Sequence, residues 1–258
     1  MIRQFSKGAM GQELQFPLEY YKVWENTRMV NPVDGNHHGV PKPFCIDSDE
    51  YREEAEALVR VAMDVERGIW PAWYLEYCDV DPVLSPILEA AGGLTMESPQ
   101  DCANAVRMDQ PAELWNALAM YAADEGIRVR PELKGIRFLE TFVDPLHMFG
   151  PLVSERMHKA FEVKYYYGLA RPEEYFEAPN FAHYEEGCPN HPAYIAGHGT
   201  VGGCAYACFK DSYPNARSKH LEAVETATKQ FSHFRDFARV HTRQDSAMGW
   251  RFGAGEFG

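Results

Sequence analysis

The chain is poor in several things that mark common protein classes. No hydrophobic run approaches the roughly 20 apolar residues of a membrane span. Its opening, "MIRQFSKGAMGQELQF", has no apolar core of a secretory leader. A cytoplasmic protein, with no membrane partner, is therefore expected. Six cysteines (Cys45, Cys78, Cys102, Cys188, Cys204 and Cys208) are scattered without a CxxC pair. Zinc-ribbon and thioredoxin-type readings thus lack support, and reduced thiols suit the cytoplasm. No segment alternates polar and apolar residues for long, so strands are minor at most. There is no internal repeat and no low-complexity tract. Positive charge is scarce: 25 Lys and Arg against 38 Asp and Glu give a net charge of −13. Such a surface repels nucleic acid and anionic membranes. An anionic substrate would need a local basic pocket set against that field.

What the chain does have is helix signal. Its 258 residues, 45% of them hydrophobic, are enough for one large domain or two small ones with a real core. Residues 1–48 are rich in Gly, Pro and Asn and read as loops and short helices. His37 and His38 are neighbours in that loop, so their rings should diverge, and they read as a solvated pair rather than a metal site. Helices are predicted at 48–68, where Ser48 is the N-cap and Gly68 the stop, at 85–93, and at 110–126 with Pro and Gly at its ends. A long helix is predicted at 150–172, stopped by Pro172. Residues 173–194 form an acidic, aromatic connection. Further helices are predicted at about 198–209, 218–234 and 235–251, with little order in the final "GAGEFG". Cys204 and Cys208, one helical turn apart in an Ala/Gly-rich run, read as small core residues. The expected fold is all-α, a helical bundle. It forms a single domain over 1–258, with an N-terminal helical part at 1–149 and a helical core at 150–251.

Three places carry chemistry. Lys164 and Arg171, seven apart, would sit two turns apart on one helix face, about 10 Å in rise. A solvated basic face is one reading, but the intervening "YYYGLA" is mostly aromatic and apolar and favours a buried pair that needs an anion. Gly197-His198 opens a helix. Free N–H groups and the partial positive charge there suit an oxyanion, glycine allows close approach, and the imidazole can move a proton near neutral pH. His241 and Asp245 are four apart. One helical turn would let the carboxylate hold the imidazole in one tautomer, leaving its other nitrogen as nucleophile or ligand. An ordinary surface ion pair has the same spacing. Arg235, six earlier, can reach the same pocket.

In order, these read Lys164-x6-Arg171-Pro172, Gly197-His198, Arg235-x5-His241-x3-Asp245. The pattern resembles the signature K-x6-RP, PSGH, SR-x5-H-x3-D of the type-2 phosphatidic acid phosphatase and vanadium haloperoxidase superfamily. The resemblance covers about residues 160–250. Locally, "FEVKYYYGLARPE", "HPAYIAGHGT" and "VHTRQD" are similar to the wording of the bromoperoxidases, and His191 matches a position where those enzymes carry histidine. The departures are Ala196 for the signature Ser, Ile195 for the Pro, and Phe234 for the Ser before Arg235. The chain is also shorter than typical haloperoxidases, which build two four-helix bundles. Either the N-terminal bundle is reduced or a partner chain completes the fold, so a homo-oligomer is expected.

The resemblance implies a vanadate cofactor bound covalently to His241, with Asp245 orienting that ring. It implies that Lys164, Arg171, Arg235 and the Gly197 N–H, beside Ala196, hold the oxyanion oxygens. His198 would be the acid–base group and His191 would tune halide handling. Hydrogen peroxide, a halide (bromide or iodide) and a small organic acceptor would be the partners, with hypohalous acid the product. The same residues also serve a phosphatase, with His241 as nucleophile and His198 as proton donor to the leaving group. A third reading is a non-catalytic oxyanion-binding remnant of the fold.

Overall fold

A computed structural model of the chain describes residues 37–66, 111–130, 144–176, 191–237 and 239–257. The helices are α1 (Asp49–Glu66), α2 (Pro111–Asp124), α3 (Asp144–Tyr167), the single turn α4 (Pro172–Tyr175), α5 (Gly197–Ser212), α6 (Ser218–Phe237) and α7 (Arg243–Ala254). Among the described residues the one β-type pairing is an isolated bridge between His37 and Val40. The fold is all-α, as the lack of period-two alternation implies. No helix among the described residues is long and apolar enough to cross a membrane. The helix predicted at 85–93 lies outside the described residues.

Local chemistry sets the helix ends. Ser48 caps α1, its Oγ accepting from the Tyr51 amide at 3.2 Å. Gly126, at φ 66°, closes α2. There Ile127 N–H bonds Ala122 O and Gly126 N–H bonds Ala123 O, the paired bonds of a Schellman end. Three predicted boundaries are corrected. First, α3 begins at Asp144, contains Pro151, and stops at Tyr167 because Gly168 turns left-handed at φ 61°; Pro172 opens α4 instead of ending α3. Second, 235–251 is not one helix. Arg239 at φ 58° and Val240 close α6 with bonds to Asp236 O and Arg235 O, another Schellman end. The next helix starts at Arg243 behind a capping box, Thr242 Oγ1 accepting from Asp245 N and Asp245 from Thr242 N. Third, "GAGEFG" is not a frayed end: Gly253 and Ala254 belong to α7 and Gly255, at φ 84°, caps it.

Two apolar clusters hold the bundle. On α2 the residues Leu114, Trp115, Leu118, Tyr121 and Ala122 recur at helical spacing and pack with Phe149 and Val153 of α3, Phe209 of α5 and Val224 and Phe231 of α6. The second cluster joins Val40, Tyr51 and Ala55 to Ala160, Val163, Leu169, Tyr194, Ile195 and Phe252. The predicted role of Cys204 and Cys208 holds: both are buried free thiols on α5, and burial pushes Cys204 up to about 12 and Cys208 up to about 11.

The small-residue run of α5 has a purpose in packing. A Cβ on Gly203 would run into Trp250 O, and one on Gly253 into Thr200 O. The backbones of α5 and α7 therefore meet almost directly. Ser232 Oγ of α6 donates to Ser246 O at 2.8 Å and locks the third helix to this pair.

Candidate oxyanion site

The site is built around a strap, His191–Ala196, that leads into α5 and is buried at every residue. Lys164, in the last turn of α3 and fully buried, donates to Pro192 O at 3.0 Å and Ala193 O at 2.9 Å. Arg171 is 3% exposed and donates from Nε to His191 O at 2.9 Å and from Nη1 to Val240 O at 2.7 Å. Arg171 does not share a helix face with Lys164, as the spacing suggested. It lies beyond the Gly168 turn as the extended N-cap of α4, where its own N–H bonds Glu174 Oε2. The two cations converge because both clamp the same strap.

His191 is sandwiched by this clamp. Its Nδ1 lies 3.0 Å from Pro192 O and 3.1 Å from Arg171 Nη2. Its Nε2 lies 3.3 Å from the same Arg171 Nη2, so the guanidinium faces the ring's edge. The ring meets Phe161 edge-on at 5.2 Å. Burial, then the charges of Arg171 and Lys164, hold His191 well below the usual histidine range, so the ring is neutral.

His241 and Asp245 are close, but not through a helical turn. His241 precedes the Thr242 cap, and the capping box folds Asp245 back towards it, with Asp245 Oδ2 3.5 Å from His241 Nδ1. Arg171 Nη1 stands 3.5 Å from His241 Nε2. A guanidinium only donates, so the lone pair belongs on Nε2 and the proton on Nδ1, facing the carboxylate. His241 is held well below its usual range by burial, then by Arg171, Lys164 and Arg235. Asp245 is pushed up to about 7 by burial, against hydrogen bonding from Thr242 and the charges of Lys164 and Arg171.

Arg235 is buried in the last turn of α6 and acts electrostatically on both His191 and His241. The charges weighing most on this pocket are thus three buried cations and the carboxylates Asp245 and Asp236. Three cations against two carboxylates leave the pocket an excess of positive charge, and burial of that excess calls for an anion.

Ala196 is the extended N-cap of α5 and offers no side-chain cap. Its N–H donates to Asp245 O at 2.9 Å, which ties the mouth of α5 to the first turn of α7. The N–H groups of Gly197, His198 and Gly199 open the helix and have no carbonyl four residues back within it. A Cβ on Gly197 would stand 3.1 Å from Met157 Cε. The half-buried ring of His198 stacks on Phe231 of α6 at 5.5 Å.

Two contributors escaped the sequence reading. Asp236 is a buried carboxylate held by Ser246 Oγ at 2.6 Å and His233 Nδ1 at 2.8 Å. Its position directly after Arg235 gave no periodic signal. Glu54 of α1 accepts from Gln244 N at 2.9 Å and adds a carboxylate to the N-terminus of α7. Such a pairing, 190 residues apart, leaves no trace in local sequence.

No known family model matches the chain, and no curated protein matches it. Among solved structures it is similar to a bacterial vanadium-dependent iodoperoxidase, with 16% identity and a TM-score of 0.43. The match covers 84% of this chain and 50% of that one, so the chain spans about half the length of that protein. A likeness this distant assigns neither activity nor ligand.

Proposed function

We propose that the protein is an oxyanion-dependent enzyme, a vanadate-dependent haloperoxidase that oxidises bromide or iodide with hydrogen peroxide. The observation that carries the oxyanion reading is the convergence of Lys164, Arg171 and Arg235, all at most 5% exposed, on the neutral ring of His241. The choice of vanadate rests on the resemblance of the three sequence blocks.

The donor set fits such a group. His241 offers an Nε2 lone pair on the cation side, and its Nδ1 has no hydrogen bond shorter than the 3.5 Å approach to Asp245. Lys164, Arg171, Arg235 and the first N–H groups of α5 would hold the oxygens, and His241 the central atom. When bound, vanadate supplies a Lewis acid that activates peroxide for attack by halide. The chain's own residues do the rest. Asp245 keeps the proton of His241 on Nδ1, so that Nε2 stays a ligand. Depressed basicity keeps His241 and His191 neutral into mildly acidic solution. His198, at the half-buried mouth, gives and takes the proton that peroxide exchanges on entry. The Lys164 and Arg171 clamps hold the strap, and so the mouth, in a fixed geometry.

The test is a halide assay on protein loaded with orthovanadate. Bromide oxidation by hydrogen peroxide, with little chloride activity, supports the proposal. Hydrolysis of a phosphate ester, inhibited by vanadate and without halide oxidation, would replace it with the phosphatase. Stoichiometric vanadate with neither activity would leave an oxyanion-binding protein.

A further inference from the structure

The sequence predicts that the rings of His37 and His38 diverge and are solvated; His38 is exposed, but His37 is half-buried and the two rings lie together. His38 (φ 52°) and Gly39 (φ 72°) turn the chain sharply, and Val40 N–H bonds back to His37 O at 3.0 Å. The turn is seated on α3. Tyr167 Oη accepts from His37 N at 3.2 Å and donates to Val40 O at 2.8 Å. The His37 ring stacks on Tyr166, with centroids 4.4 Å apart and planes 9° from parallel. The two histidine rings lie 4.4 Å apart.

Both rings arrive at Glu162. His38 Nε2 contacts Glu162 Oε2 directly. One ligand atom from each of His37, His38 and Glu162 lies within 4.8 Å of the other two. The other oxygen of Glu162 is 3.6 Å from Nε2 of His158, one turn earlier on α3. The Nε2 of His37 is buried and has no hydrogen-bond partner. A buried nitrogen left unsatisfied is costly, and a ligand there removes the cost.

We propose that His37, His38 and Glu162 form a binding site for a divalent ion of the zinc class, with His158 as the fourth ligand. Two or three imidazoles and a carboxylate are the donor set such ions prefer. Bonds of about 2.0–2.2 Å place tetrahedral ligands roughly 3.3–3.5 Å apart, so small side-chain rotations close the observed spread. The ion would cross-link the 37–40 turn to α3. Glu162 and Lys164, two residues apart on a helix, point about 200° apart. The site is therefore separate from the oxyanion pocket, and the proposal does not depend on that pocket's function.

The experiment strips the purified full chain with a chelator, exchanges the buffer, and titrates it calorimetrically with zinc sulfate. Thermal melts are recorded across the same zinc series. One equivalent should bind, and Tm should climb with zinc concentration. Glu162→Gln and His38→Gly should each weaken binding at least about a hundredfold, the upper end of what even outer ligand partners contribute, and remove the Tm shift. Glycine suits the φ of residue 38, so His38→Gly leaves the turn intact. The cobalt-substituted protein should show an absorption spectrum without thiolate charge-transfer bands. Failure of the folded chain to bind an equivalent overturns the site, as does unchanged affinity in both variants. Thiolate bands would do the same, by moving the metal to a cysteine.

Discussion

Ala196 N–H and the Asp245 carbonyl meet at 2.9 Å, so the mouth of α5 and the carboxylate beside His241 move as one unit. Gly249 makes that junction possible, because a Cβ there would strike Ala196 O and press on Ala196 N and C at 3.2 Å each. Those atoms are backbone and cannot swing aside. Gly249→Ala should cost about 1–3 kcal/mol or more, the range of an overpacked core. Gly197→Ala meets only the flexible end of Met157, at 3.1 Å, and should remain near wild-type stability. Denaturant midpoints of the two variants check this. Equal midpoints would mean the helices do not cross as closely as described.

The clamp at Arg171 needs its fork. Arg171→Lys keeps the charge but cannot serve both His191 O and Val240 O as the guanidinium does. One buried carbonyl left without a donor costs about 1–3 kcal/mol. The variant should lose roughly that much stability while keeping more vanadate affinity than Arg171→Ala. Paired unfolding curves and vanadate titrations measure both.

Stability should depend on pH through three buried groups of opposite sign. His191 and His241 titrate lower in the folded chain than in the unfolded one. The unfolded chain therefore takes up protons first as pH falls below about 6.5, and stability drops with acidification. Asp245 titrates higher when folded, at about 7. Between roughly pH 4 and 7 the unfolded chain has released that proton and the folded chain has kept it, so this group opposes the histidines. Asp245→Asn removes the opposing slope. The variant should gain stability with rising pH more steeply than wild type across pH 5–7, by up to about 1.4 kcal/mol per unit. Denaturation at pH 5, 6 and 7 tests this; identical slopes would mean Asp245 is ionised throughout.

Much of this was legible in the sequence, for identifiable reasons. Helix ends announced by Ser48 or Gly126 were found because caps are local. The candidate residues Lys164, Arg171, His191, Arg235, His241 and Asp245 stand out because spacing and order survive in the chain, and the fold brings them around one strap. The geometry joining them was not legible. Lys164 and Arg171 were placed on one face by counting residues, while Gly168 breaks the helix between them. His241 and Asp245 were assigned a helical turn, although Thr242-x-x-Asp245 is itself a capping-box signature that starts a new helix. The end of α6 was missed because its left-handed residue is Arg239, where glycine would have given the signal. The turn that brings His38 to Glu162, 124 residues away, needs tertiary contacts that no local pattern records.

Position 196 is a direct probe of the helix mouth. A serine there becomes a true N-cap, accepting from the His198 or Gly199 N–H, worth about 1 kcal/mol of stability. Its hydroxyl proton could then meet a bound oxyanion. Ala196→Ser should therefore raise the denaturation midpoint and tighten vanadate binding by no more than roughly tenfold, within the 1.5–3 kcal/mol of a charged hydrogen bond. No change in either quantity would mean that residue 196 does not face the mouth.

A cationic pocket that delivers an oxyanion to His241 should reveal itself in an equilibrium titration with orthovanadate. Wild-type protein, His241→Ala and His198→Ala are compared, with bromide oxidation followed alongside. Wild type and His198→Ala should each bind one equivalent, with turnover of the latter slowed by about 10²–10⁴ as for a lost acid–base group, and His241→Ala should show no stoichiometric binding. Equal vanadate binding by His241→Ala and wild type would contradict it, and would leave Lys164, Arg171 and Arg235 as a structural clamp on the strap.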